Sequence, residues 1–310
     1  MSCYRPNKGY RKPNGQFTFK RKGSTGVHTS VVCGKCIGCR LDNSRDWAVR
    51  SIHEAQTQEE NGKESCFLTL TYDNDHLPKN GSLNFKHFQN FMKLLRKEPN
   101  VPKIKYFHCG EYGDKTHRPH YHALLFGYNF PDKEYHCTRD GNTAYISSQL
   151  KRLWKHGLHE IGNLTFASAA YTARYILKKQ YGEEADVHYN QVTELEPDTG
   201  EILQMEHIQP EYTTMSNGIG SDWYDKYAHT DVWVDDSIIV DPQDGTKPFY
   251  ARVPRYYREK LKESNPDKYN YFRAIRIAKA LSNPQELLWE RLETKEFCKT
   301  KQVERLIRQL

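Results

Sequence analysis

The stretch Arg118-Pro119-His120-Tyr121-His122-Ala123-Leu124-Leu125-Phe126-Gly127 decides how the rest of the chain is read. It is an apolar run headed by two histidines and closed by glycine. In a β-strand, successive side chains alternate between two faces. His120 and His122 then share one face with Leu124 and Phe126, while Tyr121, Ala123 and Leu125 occupy the other. Both faces are largely apolar, which predicts a central strand covered on both sides. Two imidazoles on one face are either ordinary hydrogen-bonded histidines or two ligands of a metal ion. The strand alone does not choose between these readings.

Upstream, Ser65-Cys66-Phe67-Leu68-Thr69-Leu70-Thr71-Tyr72 is rich in β-formers and ends in the turn Asp73-Asn74-Asp75. Ser82 or Asn84 opens a helix through Phe85, Phe88, Phe91, Met92 and Leu95, stopped before Pro99. Residues 103–110 make a second strand, and a loop over 111–119 leads into the histidine strand. Beyond it, the pattern predicts a helix over 147–156, a strand over 157–166 and a helix over 168–179. One more helix, 42–58, precedes them all, with Trp47, Ala48, Ile52 and Ala55 at helical spacing. The central β-α-β-β-α-β order is the ferredoxin-like split βαβ pattern. It predicts an α+β fold with an antiparallel sheet and helices on one face.

The charge pattern divides the chain into four segments. Residues 1–41 are a basic, Cys-rich arm without periodicity, and 42–182 carry the core pattern. Residues 183–245 are an acidic excursion, and 246–310 are basic and helical. Residues 1–50 hold 11 Lys/Arg against 2 Asp/Glu, 183–244 hold 16 acids against a single Lys226, and 251–310 hold 15 bases against 8 acids. Basic ends around an acidic middle predict a polyanionic partner, nucleic acid being the commonest. Within the excursion, Glu196-Pro197-Asp198-Thr199-Gly200 suits the turn of a hairpin. Met215-Ser216-Asn217-Gly218-Ile219-Gly220 reads as a flexible turn leading to Trp223 and Tyr224. Mean hydropathy is −0.88, and no run approaches the roughly 18 apolar residues of a membrane span. The opening MSCYRPNKGYRKPNG has no apolar core of a signal peptide. A soluble, intracellular protein without a membrane partner is expected.

Cys33-Gly34-Lys35-Cys36-Ile37-Gly38-Cys39 has the spacing by which a tight turn aims several thiolates at one metal. Cys3 and His28 are the candidates for a fourth ligand. Zinc is expected, with an iron–sulfur cluster as the alternative. At the histidines, Glu111 at the exit of the neighbouring strand offers a carboxylate, with Asp114 and His117 as rivals for the same position. Two imidazoles and a carboxylate with open positions suit Mg²⁺ or Mn²⁺ engaged with a phosphate. On the predicted helix downstream, Tyr171 and Tyr175 are i,i+4 neighbours, followed by Lys178 and Lys179. A phenol with a pKa near ~10 needs an activated electrophile. A metal-polarised phosphodiester is one, and a lysine can stabilise the charge that develops.

The ordered set Phe67-Leu68-Thr69-Leu70-Thr71-Tyr72, Cys109-Gly110-Glu111-Tyr112-Gly113, Arg118-Pro119-His120-Tyr121-His122 and Tyr171-x-x-x-Tyr175 with Lys178-Lys179 resembles a known family. It is similar to the rolling-circle replication initiators of microviruses, the gokushovirus group above all. These are HUH endonucleases, named for histidine, bulky hydrophobe, histidine. The Cys33/Cys36/Cys39 cluster with Arg40-Leu41-Asp42, and an early cysteine like Cys3, also resembles that group. The middle residue of the histidine motif departs from the pattern, being Tyr121 rather than an aliphatic. The resemblance implies the HUH type of antiparallel sheet and a nickase and ligase of single-stranded DNA at a phage origin, in the cytoplasm of the bacterial host. It implies Tyr171 and Tyr175 as nucleophiles and His120, His122 and Glu111 as metal ligands, with Lys178 or Lys179 assisting. A host replication helicase or polymerase is an expected partner. Competing readings are a non-enzymatic single-stranded nucleic-acid binder, an HUH transposase or relaxase, and a plain metallohydrolase.

Overall fold

The computed structural model describes residues 3–113, 116–139, 141–174, 183–195 and 202–307. In chain order, three short strands, β1 (Asn7–Arg11), β2 (Phe17–Thr18) and β3 (His28–Val31), precede helix α1 (Ile37–Glu60). Then come β4 (Cys66–Tyr72), α2 (Phe85–Leu95), β5 (Lys105–Tyr112), β6 (Pro119–Phe126), β7 (Lys133–Arg139), β8 (Asn142–Ser147), α3 (Ser148–Leu153), β9 (Gly157–Asn163) and α4 (Phe166–Arg174). The remainder is α5 (Glu183–Tyr189), β10 (Asn190–Leu195), β11 (Ile202–His207), β12 (Tyr212–Met215), α6 (Ser221–Tyr227), β13 (Trp233–Val234), β14 (Ser237–Val240), β15 (Phe249–Arg252), α7 (Arg255–Ser264), α8 (Pro266–Leu281) and α9 (Trp289–Ile307).

The chain divides into two compact units, one of Met1–Arg45 with Arg255–Leu310 and one of Asp46–Pro254. The two basic ends of the sequence therefore belong to one unit. In it, the arm expected to be irregular forms an antiparallel sheet in the order β2-β1-β3. Strands of two to five residues, solvated on both faces, leave no apolar alternation to detect. Arg5 Nε reaches Glu296 Oε2 on α9 at 2.7 Å, tying the arm to the C-terminal helices of the same unit.

The second unit is built on a seven-stranded antiparallel sheet in the order β12-β5-β6-β4-β9-β8-β7. The inner order β5-β6-β4-β9 is that of the split βαβ plan, with β6 inserted between β4 and β5. On one face, α2 and α3 bring Phe88, Phe91, Met92, Leu95, Leu153 and Trp154 onto Leu68, Leu70, Tyr72, Tyr121, Ala123 and Leu125. Asn84 caps α2, its side chain accepting from the Lys86 N–H. Tyr121 explains why a tyrosine sits between the histidines. Its hydroxyl donates to the Asn84 carbonyl at 2.9 Å and accepts from the Asn84 N–H at 2.8 Å. It also meets the Tyr72 hydroxyl at 2.7 Å. The residue thus pins the start of α2, and burial pushes its phenol up to about 12.

Helices cover both faces of this sheet, not one. Trp47 of α1 stacks on Phe107 of β5, ring centroids 5.2 Å apart, and α4 packs on β5 and β6. The histidine strand is therefore central and doubly covered. The acidic region is also less of an excursion than its charge suggests. β10 and β11 pair as the expected hairpin, but β12 joins the main sheet along β5, Tyr212 opposite Gly110. The turn after β12 is anchored: Ile219, Trp223 and Tyr224 are buried, and Arg50 donates to the Ile219 carbonyl at 2.9 and 3.1 Å.

Candidate metal and nucleophile site

Register brings the site together on β4, β5 and β6. β5 runs two residues further than the sequence suggests, so Glu111 is a strand residue lying directly opposite His120, with Cys109 opposite His122. On the other side of β6, Thr69 pairs with His122 and Thr71 with His120. All six positions face the same way, because alternation is shared across a sheet in register. Glu111 is 2% exposed and His122 5% exposed. Glu111 Oε1 and His122 Nε2 are 3.0 Å apart. The Nδ1 atoms of His122 and His120 meet the hydroxyls of Thr69 at 3.1 Å and Thr71 at 2.8 Å. Gly113 leaves room at the second ring, since a Cβ there would stand 2.9 Å from His120 Nε2.

This donor set fits a divalent cation. Both rings are tied through Nδ1, which leaves Nε2 as the ligating atom, and the near-buried carboxylate supplies hard, negative oxygens beside them. Of the rivals to Glu111, His117 is exposed in the β5–β6 turn with a φ of 52°, and Asp114 lies outside the described residues. Tyr171 of α4 stands on the histidine face. Its ring meets the His122 ring edge-on, centroids 5.2 Å apart, and the Phe67 ring at 6.3 Å. Tyr175, Lys178 and Lys179 lie outside the described residues.

Apart from this site, Cys3, Cys33, Cys36 and Cys39 gather with all four sulfurs within 4.8 Å of one another. Two of the gaps are 4.0 Å, Cys33 to Cys39 and Cys3 to Cys36, close to the ~3.8 Å edge of a tetrahedron with Zn–S bonds of ~2.3 Å. Backbone N–H groups of Lys35 and Cys36 point at the Cys33 sulfur, at 3.4 and 3.3 Å. Burial raises the Cys33 thiol, but these N–H groups and the neighbouring thiols outweigh it and bring it to about 7. The cluster can hold a metal ion, and Cys3 rather than His28 completes it. His28 lies on β3 against the Tyr10 ring. In a Cys36→Ser variant, metal analysis should find the bound equivalent lost and the unit less stable; unchanged metal content and stability would rule the site out.

A third group, His136, Cys137 and Glu160, also brings three potential ligands within 4.8 Å. Arg139 Nη1 already lies 3.0 Å from Glu160 Oε1, and a guanidinium beside the carboxylate opposes a second cation. Among the described residues, the sequence reading missed Thr69 and Thr71 as partners of the histidines. The available signal was a polar, β-branched residue at alternate positions of an otherwise apolar strand.

Comparison with known proteins agrees in kind. Residues 65–180 match the family model of the replication-associated protein ORF2. Over 87% of its length the chain is 33% identical to the replication-associated protein VP4 of Bdellovibrio phage phiMH2K, covering 80% of that protein. It is likewise 33% identical to the replication-associated protein ORF2 of Spiroplasma virus 4, over 87% of this chain and 83% of that one. Replication-associated protein ORF4 of Chlamydia phage 1 is 38% identical over 48% of this chain and 38% of its own. No solved structure matches the chain.

Proposed function

Because the chain belongs to the phage replication-associated proteins, we propose that it nicks and rejoins single-stranded DNA at a phage replication origin. The fold would then be the HUH type, and the protein would work in the cytoplasm of the bacterial host beside the host replication machinery. No described helix is long and apolar enough to cross a membrane. The observation that carries the reading is Tyr171 over the histidine face, 5.2 Å from His122 between ring centroids, with Glu111 hydrogen-bonded to the same imidazole.

His120, His122 and Glu111 would hold Mg²⁺ or Mn²⁺, which when bound supplies charge to polarise a phosphodiester and stabilise its transition state. Tyr171, or Tyr175 in its turn, attacks phosphorus through its phenolic oxygen. The new P–O(Tyr) bond forms as the P–O3′ bond breaks, and the phenolic proton ends on the released 3′-hydroxyl. The products are a 5′-phosphotyrosine and a 3′-OH that can prime synthesis. Attack by a 3′-OH on the phosphotyrosine reverses the exchange and closes the strand, with no nucleotide cofactor. Lys178 or Lys179 would steady the charge on the leaving oxygen. The four-cysteine cluster is assigned to structural zinc, and the basic unit that contains it to sequence-independent contacts with phosphates.

The test mixes the protein and Mn²⁺ or Mg²⁺ with single-stranded oligonucleotides tiled over the parent phage genome. A covalent protein–DNA adduct is expected, lost in the Tyr171→Phe/Tyr175→Phe double variant and in His120→Ala. Cleavage without an adduct would overturn the reading in favour of a plain metallohydrolase.

A further inference from the structure

The strand Cys66–Tyr72 carries a motif to which the mechanism above gives no work. Its inward residues Leu68, Leu70 and Tyr72 are fully buried against α2 and α3. Its other face presents Phe67, Thr69 and Thr71 to the histidine strand, opposite Leu124, His122 and His120. Packing alone would be served there by valine, which has the same shape and a comparable strand preference. Threonine stands instead at both positions that face an imidazole, and each hydroxyl meets the Nδ1 atom of its own partner, at 3.1 and 2.8 Å.

We infer that Thr69 and Thr71 are positioning residues that fix the tautomer and orientation of His122 and His120 for cation binding. The inference rests on the reading that these histidines and Glu111 hold a divalent ion. An imidazole ligates through a ring nitrogen that carries no proton, so a ring that binds through Nε2 keeps its proton on Nδ1. That N–H needs an acceptor, and at His122, 5% exposed, water is a poor candidate. The threonine Oγ1 accepts it, and the hydroxyl hydrogen remains free to turn elsewhere. The cross-strand register makes this a matter of geometry. Directly opposed residues in an antiparallel pair hold their Cβ atoms ~5 Å apart, within reach of a short hydroxyl and too close for a longer side chain. Phe67 assists at His122, its ring nearly parallel to the imidazole at 5.6 Å and 10°. One strand thus lays a ring and two hydroxyls along the metal-binding strand, setting where Nε2 points before any ion arrives.

The full-length protein carrying Thr69→Val, Thr71→Val or both, and the matching serine variants, should be titrated with Mn²⁺, following free Mn²⁺ by electron paramagnetic resonance. The valine variants are expected to weaken Mn²⁺ binding about 10- to 100-fold, the range typical of lost outer-shell partners, while melting no lower than the wild type. Adduct formation should recover at raised Mn²⁺. Serine keeps the hydroxyl and should restore affinity to within a few-fold, a result that a purely structural role would not give. Wild-type Mn²⁺ affinity in the double valine variant overturns the inference. His122→Ala separates the two failures: if it abolishes Mn²⁺ binding while the valines do not, only the positioning role falls. If it too leaves binding intact, the cation site itself falls.

Discussion

Glu111→Gln should reduce the rate of adduct formation by at least about 100-fold and leave the protein no less stable. Both halves follow from where the carboxylate lies. Glu111 is 2% exposed, faces His120 in register and meets His122 Nε2 at 3.0 Å. A buried carboxylate is expensive to desolvate, and an isosteric neutral group in its place is often neutral or favourable for stability. The same substitution removes the only negatively charged ligand proposed for the cation. Losing several kcal/mol of charge stabilisation in the transition state corresponds to a hundredfold or more at ~1.4 kcal/mol per decade. Adduct kinetics at fixed Mn²⁺ and a urea melt on the same preparation check the two halves together. A slowed enzyme that also unfolds early would make Glu111 a structural residue. Wild-type kinetics would remove it from the site.

The histidine strand was legible because alternation is a strong signal where both faces are buried, and the same holds for Cys66–Tyr72 and for the amphipathic helix after Asn84. The split βαβ order followed from those elements. What stayed hidden lies where burial is one-sided or absent. β7 and β8 are mostly solvated, so Lys-Glu-Tyr-His-Cys-Thr-Arg carries no apolar period even though it lengthens the sheet. β12 is four half-buried residues in an acidic region, and only its pairing with β5 reveals it. The site shows the same division. Residue types announced His120, His122, Glu111 and Tyr171, but sequence spacing treats 111–119 as a loop. Only the extended register of β5 sets Glu111 across from His120 and pairs the two threonines with the two histidines.

Glu54→Ala should be the most damaging single change away from the site, lowering stability by about 3–5 kcal/mol, the range for breaking a buried charge pair. The Glu54 side chain is fully buried. One oxygen accepts from Lys105 Nζ at 3.0 Å and from the Gly220 N–H at 2.8 Å, and the other accepts from Gln58 at 2.9 Å. These bonds join α1, the start of β5 and the turn before α6. Alanine would leave three donors short of an acceptor and a hole where the carboxylate stood. Lys105 keeps a second partner in Asp222 at 3.2 Å, but Asp222 is largely exposed and its pull on the ammonium is screened by water. Gly220 has no such fallback, because its N–H lies at the capping position of α6 with a φ of 75°, a conformation that a glycine adopts readily and that aims the amide at Glu54. For a unit of this size the loss corresponds to a melting shift of roughly 6–20 °C. Glu54→Gln keeps the shape and the acceptor and should recover much of it. If the alanine variant melts within a degree or two of wild type, the anchoring of the 218–224 segment must instead come from Ile219 and from Trp223, whose ring stacks on His53 at 3.5 Å, and the polar junction would be incidental to it.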